Sequence, residues 1–297
     1  MIAVVGAGAL GRLLAARLAL AGVDVALLGR TPTRSLSYDL EQEGSARRVT
    51  VAGSADSAEL VVVCVKVADT AGAAETAARL AGATGTVLVL QNGLGRAAQV
   101  AQLLGDPSRV VGAVTSEGAT RTEAGVRHAG RGPTRLGVLV EAARPRAEAA
   151  AAWLRRAGYD ASVAADLRQL EWEKVLVNAA INALTGLLDR ENGALLFSPA
   201  AKALASAAAR EVTATARALG VPGSWDIEGS DARWMAVAAA TAQNLSSTVQ
   251  DLRSGRKTEV HGMNGAVARA AREAGVPAPT NDLLDRLIAA REELPLS

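Results

Sequence analysis

The sequence predicts two domains: an N-terminal α/β domain on a doubly wound, mostly parallel sheet with antiparallel additions, and an all-α C-terminal domain. Three observations predict this. Short apolar runs alternate with helix-like segments through the first half of the chain. A glycine-rich turn follows the first of these runs. Past residue 165 the strand signals stop and Ala-rich helical periodicity takes over.

Residues 2–5, 23–28, 60–65, 86–90 and 110–114 read as strands, being short, rich in β-branched residues and bounded by Gly, Asp or Thr. Residues 10–21, 69–80 and 95–104 read as helices between several of them. Strand–helix alternation of this kind argues for a parallel sheet covered on both faces. After Ser116 the texture changes. Runs at 118–122, 126–129 and 135–140, separated by Gly-containing turns, read as antiparallel strands added at one edge. A helix at 144–157 and a strand at 160–163 close the first domain, residues 1–165. Asp166-Leu167-Arg168-Gln169 fits a capping box and opens a helix running to about residue 188. Helical segments at 199–219, 230–254, 256–274 and 280–293 follow, broken at Gly220-Val221-Pro222 and Gly275-Val276-Pro277, and complete the second domain, residues 166–297.

Composition narrows the function classes. At 297 residues, with 49% hydrophobic and 21% charged residues, the chain can bury two cores of ordinary size. Net charge is +2 and Lys and Arg are scattered, without a basic run or basic–aromatic alternation, so no nucleic-acid partner is expected. No uninterrupted apolar stretch reaches the ~20 residues of a membrane span. No secretory leader pattern is seen at the N-terminus, and the lone Cys64 lies inside the apolar run Leu60-Val61-Val62-Val63-Cys64-Val65. The expectation is a cytoplasmic protein with no membrane partner. Neither a metal-ligand cluster nor a G-x-S-x-G nucleophile motif is visible, and His128 and His261 show no partner pattern and receive no role.

Gly6-Ala7-Gly8-Ala9-Leu10-Gly11 is G-x-G-x-x-G, directly after an apolar strand and directly before a helix pattern. The first glycine suits the tight turn, the second a close backbone approach to a pyrophosphate, and the third close packing of helix on strand. The helix N-terminus then offers free amides and partial positive charge to phosphates. The end of the second predicted strand, where an NAD enzyme places an acid for the ribose 2′-hydroxyl, reads Leu27-Leu28-Gly29-Arg30, with Arg34 beyond. A guanidinium there can grip a 2′-phosphate, so NADPH is the expected cofactor. Two further strand ends carry polar residues: Lys66 after residues 60–65, and Gln91-Asn92-Gly93 after residues 86–90. On local grounds Lys66 reads equally well as a ligand contact or as a solvated strand end, and Asn92 as a ligand contact or as part of a turn.

In the helix from Asp166, Lys174, Asn178 and Asn182 stand four apart in apolar surroundings and therefore share one face. Buried amides and an ammonium need partners, so the stripe reads as facing a polar cleft, with the wet face of the helix as the alternative. A second polar concentration follows. Asn244, Ser247 and Asp251 keep near-helical spacing on one face, Arg253, Arg256 and Lys257 read as surface charge, and Thr258-Glu259 opens another helix, where a carboxylate also suits the macrodipole.

Together these pieces resemble the ketopantoate reductase family across essentially the whole chain. The resemblance rests on the glycine turn, Cys64-Val65-Lys66, Gln91-Asn92-Gly93, the Lys174…Asn178…Asn182 helix, and Asn244-Leu245-Ser246-Ser247…Gln250-Asp251…Thr258-Glu259. It implies a Rossmann domain plus a helical domain, an active site in the cleft between them, and NADPH-dependent reduction of 2-dehydropantoate to pantoate on the route to pantothenate and coenzyme A. It also implies roles: Lys174 and Glu259 catalytic; Asn92, Asn178, Asn182, Asn244 and Ser247 on the substrate. Gly6, Ala7, Gly8, Ala9, Leu10, Gly11, Arg30, Lys66 and Asn92 would hold the cofactor. Two positions depart from the family pattern: His261 where an acid is usual and Thr248 where methionine is common. Hydride would pass from the nicotinamide to the C2 ketone of a 2-oxoacid, with Lys174 stabilising the oxygen and giving the proton. Burial lowers that lysine's pKa and Glu259 raises it. Two other readings stand beside this one: a reductase of another small 2-oxoacid (or the reverse oxidation of a hydroxy acid), and a non-catalytic NADPH-sensing protein. Monomer and homodimer both fit the sequence.

Overall fold

The computed structural model describes residues 1–294, so the last three residues of the second predicted domain lie outside the described residues. The chain forms two units: residues 1–91 with 95–167, and residues 92–94 with the chain from Arg168 onward.

In the first unit the elements run β1 (Ile2–Val5), α1 (Ala9–Leu20), β2 (Val25–Leu28), β3 (Ser35–Gln42), β4 (Ser45–Ala52), β5 (Leu60–Val63), α2 (Thr70–Ala81), β6 (Thr86–Val89), α3 (Arg96–Leu104), β7 (Val110–Thr115), β8 (Gly118–Arg121), β9 (Gly125–Gly130), β10 (Thr134–Val138), α4 (Arg144–Arg156) and β11 (Ala161–Val163). All eleven strands form one sheet in the order β11-β10-β7-β6-β5-β1-β2-β4-β3-β9-β8. The centre, β7-β6-β5-β1-β2, is parallel throughout. Alternate side chains of the central strands enter two cores. Ile2, Val4, Leu60, Val62 and Leu88 pack into one, while Ala3, Val5, Val61, Val63, Val87 and Val89 pack into the other. A strand buried on both faces needs apolar residues at every position, which is why these strands read as continuous runs. β1 lies between β2 and β5, so the strand order reverses there, and the C-terminal ends of these three strands flank the switch point where such sheets bind ligands.

The structure corrects the sequence reading in several places. Residues 35–52, assigned no element above, form the antiparallel β3–β4 hairpin. Its turn residues Glu43 and Gly44 both take positive φ, 52° and 76°, as a primed hairpin turn requires. The added strands do not sit at one edge. β10 and β11 extend the β7 side, β10 antiparallel to β7, whereas β9 and β8 lie at the far edge, β9 running parallel to β3. β2 and β5 are also shorter than read, β2 starting only at Val25 and β5 ending at Val63.

The second unit contains α5 (Leu167–Leu188), α6 (Ala194–Phe197), α7 (Pro199–Ala218), α8 (Ile227–Ala240), α9 (Ser247–Arg253), α10 (Asn264–Ala274) and α11 (Pro279–Glu293). α5 starts directly after Asp166, where the sequence sets its cap. The segment read as one helix over 230–254 is two, because Ser246 ends the intervening turn by accepting from the Val249 amide at 3.3 Å and starting α9. The helix read from residue 256 starts only at Asn264. Before it, the Thr258 amide and hydroxyl both donate to Glu292 at 2.7 Å, and Val260–Gly262 form a single 3-10 turn. The core of this unit is built from α5 residues such as Val175, Leu176, Ala179 and Ile181 against Ala205, Val212, Trp234 and Ile288. Among the described residues no helix is long and apolar enough to cross a membrane, and no group of three or more His, Cys, Asp or Glu is placed to hold a metal ion.

Candidate active site

The glycine turn grows out of β1. Gly6 has φ +116°, and a Cβ there would lie 2.6 Å from the Cys64 carbonyl oxygen, so the first glycine is demanded by both backbone and packing. A Cβ at Gly11 would fall on the Gly6 carbonyl, which is why α1 can start so close to its strand. At Gly8 a Cβ would meet nothing within 4 Å. The fold therefore has no need of the second glycine, and the space above it stays open for a ligand. Gly8 caps α1 without a side-chain hydrogen bond, and no acid lies in the first turn. The amides of Ala9 and Leu10 thus keep the positive end of the dipole unneutralised, and a pyrophosphate fits this cradle in charge and in room.

Two neighbouring strand ends meet the turn. Gly29 places its missing Cβ 3.5 Å from the Ala7 Cβ, and Arg30 follows, strongly exposed, with Nη2 donating to Asp69 Oδ2 at 2.8 Å. That hydrogen bond, then the charge behind it, raises the guanidinium's pKa above its ordinary value. Lys66 begins the 3-10 turn Val67–Asp69 after β5. Gln91 braces this turn, its Nε2 donating to Val65 O at 2.8 Å and to Thr70 Oγ1 at 3.0 Å. Cys64 sits behind the turn, where burial pushes its thiol pKa up to about 12.

The second unit carries the polar stripe. Asn178 and Asn182 on α5 are 9% and 8% exposed, and Lys174 is partly buried beside Trp172, Val175 and Leu176. Loss of hydration pushes the Lys174 ammonium below its ordinary pKa. Asn182 Nδ2 reaches Ser247 Oγ at 3.5 Å. Ser247 opens α9 and is exposed, as is Asn244, which lies in the turn before it with its carbonyl accepting from the Asn192 amide at 3.0 Å. Asp251 is buried and accepts from Arg256 Nε at 3.1 Å; it stands four residues after Ser247 on α9, whereas Asn244 precedes that helix, so the three do not form one helical stripe. Glu259 stands outside any α-helix, before the 3-10 turn, and its Oε2 accepts from Asn92 Nδ2 at 2.9 Å. The carboxylate is therefore not a helix-start residue. The structure brings Asn92 together with Glu259, and Asn182 together with Ser247.

Sequence reasoning passed over the groups that hold these side chains. The Val249 amide donates to Ser246 Oγ, which lies 2.8 Å from Thr185 Oγ1, and Thr185 donates back to Ile181 O at 2.8 Å. The two hydroxyls share one hydrogen bond, and this chain of contacts ties α9 to α5 next to Ser247. The signal was present, since Ser246 stands three residues before Val249 as an N-cap does. Asn264 and Asn281, both fully buried, link Ala179 O on α5 to Ala208 O on α7, each contact at 3.0 Å. The two histidines have partners after all: buried His128 with Glu117, which also meets Arg17 at 3.4 Å, and exposed His261 with Asp285 at 3.1 Å. Thr248 is buried against Gly186, where an added Cβ would stand 2.5 Å from its Cγ2.

Known proteins are similar to this chain in sequence and in fold. Residues 2–141 match the family model described as Ketopantoate reductase PanE/ApbA, and residues 166–292 match that of its C-terminal part. The chain is 40% identical over 299 residues to a 2-dehydropantoate 2-reductase of Halobacterium salinarum, covering 97% of both chains. A crystal structure of a PanE/ApbA family ketopantoate reductase from Ralstonia eutropha superposes with a TM-score of 0.85 at 30% identity, over 99% of both chains. A D-mandelate dehydrogenase solved with NADH and anilino(oxo)acetate gives 0.91 at 21% identity over 99% of both, which speaks to the fold alone. With a glycine turn at the switch point of the sheet on one unit, a lysine–asparagine ladder on the other, and relatives matched from end to end, this chain belongs to the ketopantoate reductase family of NAD(P)-dependent oxidoreductases.

Proposed function

We propose that the protein reduces 2-dehydropantoate to pantoate with NADPH. The observation that carries the reading is the ladder on α5, a lysine of lowered basicity in line with two buried amides, one of them within reach of Ser247. The cofactor, when bound, supplies the hydride. The chain's own residues do the rest. The Gly6–Gly11 turn and the α1 amides hold the pyrophosphate, and Arg30 and Lys66 hold the adenosine end. As the C2 ketone is reduced, negative charge grows on its oxygen, and the Lys174 ammonium stabilises that charge and delivers its proton. Glu259, oriented by Asn92 at 2.9 Å, accepts from the substrate hydroxyl. Asn178, Asn182, Asn244 and Ser247 supply neutral hydrogen bonds that orient the carboxylate and hydroxyl without competing charge. The small-molecule reaction suits the cytoplasm.

The test is NADPH oxidation with 2-dehydropantoate beside pyruvate, 2-oxoisovalerate and oxaloacetate. The reading expects kcat/KM for 2-dehydropantoate to exceed the others by at least tenfold. A higher value for another member of the panel would replace the substrate, and tight NADPH binding without turnover on any would favour a sensor.

A further inference from the structure

The end of β2 carries no acid in the sequence, yet the fold delivers one from another strand. Asp69, at the end of the 3-10 turn after β5, places Oδ2 at 2.8 Å from Arg30 Nη2. Its backbone is not a loose loop. The Asp69 amide donates to Lys66 O at 2.9 Å, and Thr70, buried, donates from Oγ1 to Val67 O at 2.8 Å. The Gln91 amide holds both Val65 O and Thr70 Oγ1 from the neighbouring strand end. The carboxylate is therefore presented to Arg30 from a fixed position.

We propose that Asp69 is a specificity-determining residue that narrows the preference for NADPH over NADH by competing for Arg30. The inference rests on the assignment of Arg30 to the 2′-phosphate. A guanidinium has five N–H donors, and one is occupied by Asp69. A 2′-phosphate arriving at the others brings roughly two negative charges close to a carboxylate that is already there, which opposes it. A 2′-hydroxyl meets no such repulsion and can donate to the same carboxylate, the role that an acid at the end of the second strand plays in NAD enzymes. Both partners are exposed, at 87% for the Arg30 side chain and 41% for that of Asp69, so the effect is moderate and sensitive to salt.

The experiment measures dissociation constants of NADPH and NADH by nicotinamide fluorescence for the full chain and for Asp69→Asn, Asp69→Glu and Arg30→Ala, at low and high ionic strength. Asp69→Asn is expected to tighten NADPH about 3- to 10-fold at low salt while NADH is unchanged or weaker, with the gain shrinking at high salt. Asp69→Glu, which keeps the charge, is expected to retain the wild-type ratio. A purely structural role would move both cofactors together and without salt dependence. An NADPH/NADH ratio unchanged in Asp69→Asn, with NADPH still weakened in Arg30→Ala, would overturn the inference and leave the cofactor assignment standing. If Arg30→Ala alters neither cofactor, the 2′-phosphate assignment fails and this proposal with it.

Discussion

Lys174 illustrates what one residue can set. Its ammonium lies on a helix whose adjacent residues Trp172, Val175 and Leu176 are buried, and burial lowers its pKa from the ordinary 10.5. In the unfolded chain the lysine keeps that ordinary value, so between the lowered and the ordinary pKa the unfolded state binds more protons. Stability contributed at this position therefore rises with pH through that window, and below it the charged lysine opposes folding. Lys174→Met is expected to be more stable than wild type at pH 7, with the difference shrinking towards pH 10. Urea unfolding at the two pH values checks this, and a less stable Lys174→Met at pH 7 would contradict the burial account. The same shift sets a sign for activity. A lysine that must give up a proton loses that ability as pH rises through its own pKa, so the alkaline limb of kcat is expected below 10.5.

Among the elements, the turn into α1 separates fold from function within six residues. Gly11→Ala would put a methyl group onto the Gly6 carbonyl, so α1 must shift off β1, and a loss of about 2–4 kcal/mol is expected in thermal or urea unfolding. Gly8→Ala meets open space, so its Tm is expected to match wild type while the Kd for NADPH rises at least tenfold. A Gly8→Ala protein that binds NADPH normally would remove the pyrophosphate from this turn. On the other unit, Ser246→Ala removes the α9 cap and the hydroxyl contact from α9 to Thr185, which is expected to destabilise by about 1–2 kcal/mol. Because that chain anchors Ser247, KM for the 2-oxoacid is expected to rise more than kcat falls. Equal steady-state constants in Ser246→Ala and wild type would show that Ser247 needs no such anchor.

Across the whole molecule, what the sequence discloses follows from burial. The five central strands are covered on both faces, and their apolar runs state this directly. The glycine turn was legible because it stands between a strand and a helix, where close packing demands Gly6 and Gly11. The β3–β4 hairpin was harder to see. Its inward residues Tyr38, Leu40, Val49 and Val51 do alternate with outward charges such as Asp39 and Arg48, but its turn is Glu43-Gly44 rather than the Asn-Gly that announces a hairpin. The break between α8 and α9 was hidden for a different reason: Asn244, Ser247 and Asp251 keep near-helical spacing across it, and the Ser246 hydroxyl that caps α9 is what marks the new start. Placement of the edge strands depends on long-range pairing, which local periodicity does not encode. At the site, the i, i+4, i+8 ladder was legible because a helix fixes that geometry. The pairing of Asn92 with Glu259 spans distant parts of the chain, and Asp69 reaches Arg30 from a different strand, so neither could be read locally. The most direct test of the account is single-turnover oxidation of bound NADPH by 2-dehydropantoate in wild type and Lys174→Ala, with NADPH affinity measured on the same samples. The account predicts a rate at least a hundredfold lower in Lys174→Ala with NADPH affinity within about twofold of wild type. An equal rate in the two proteins would contradict it.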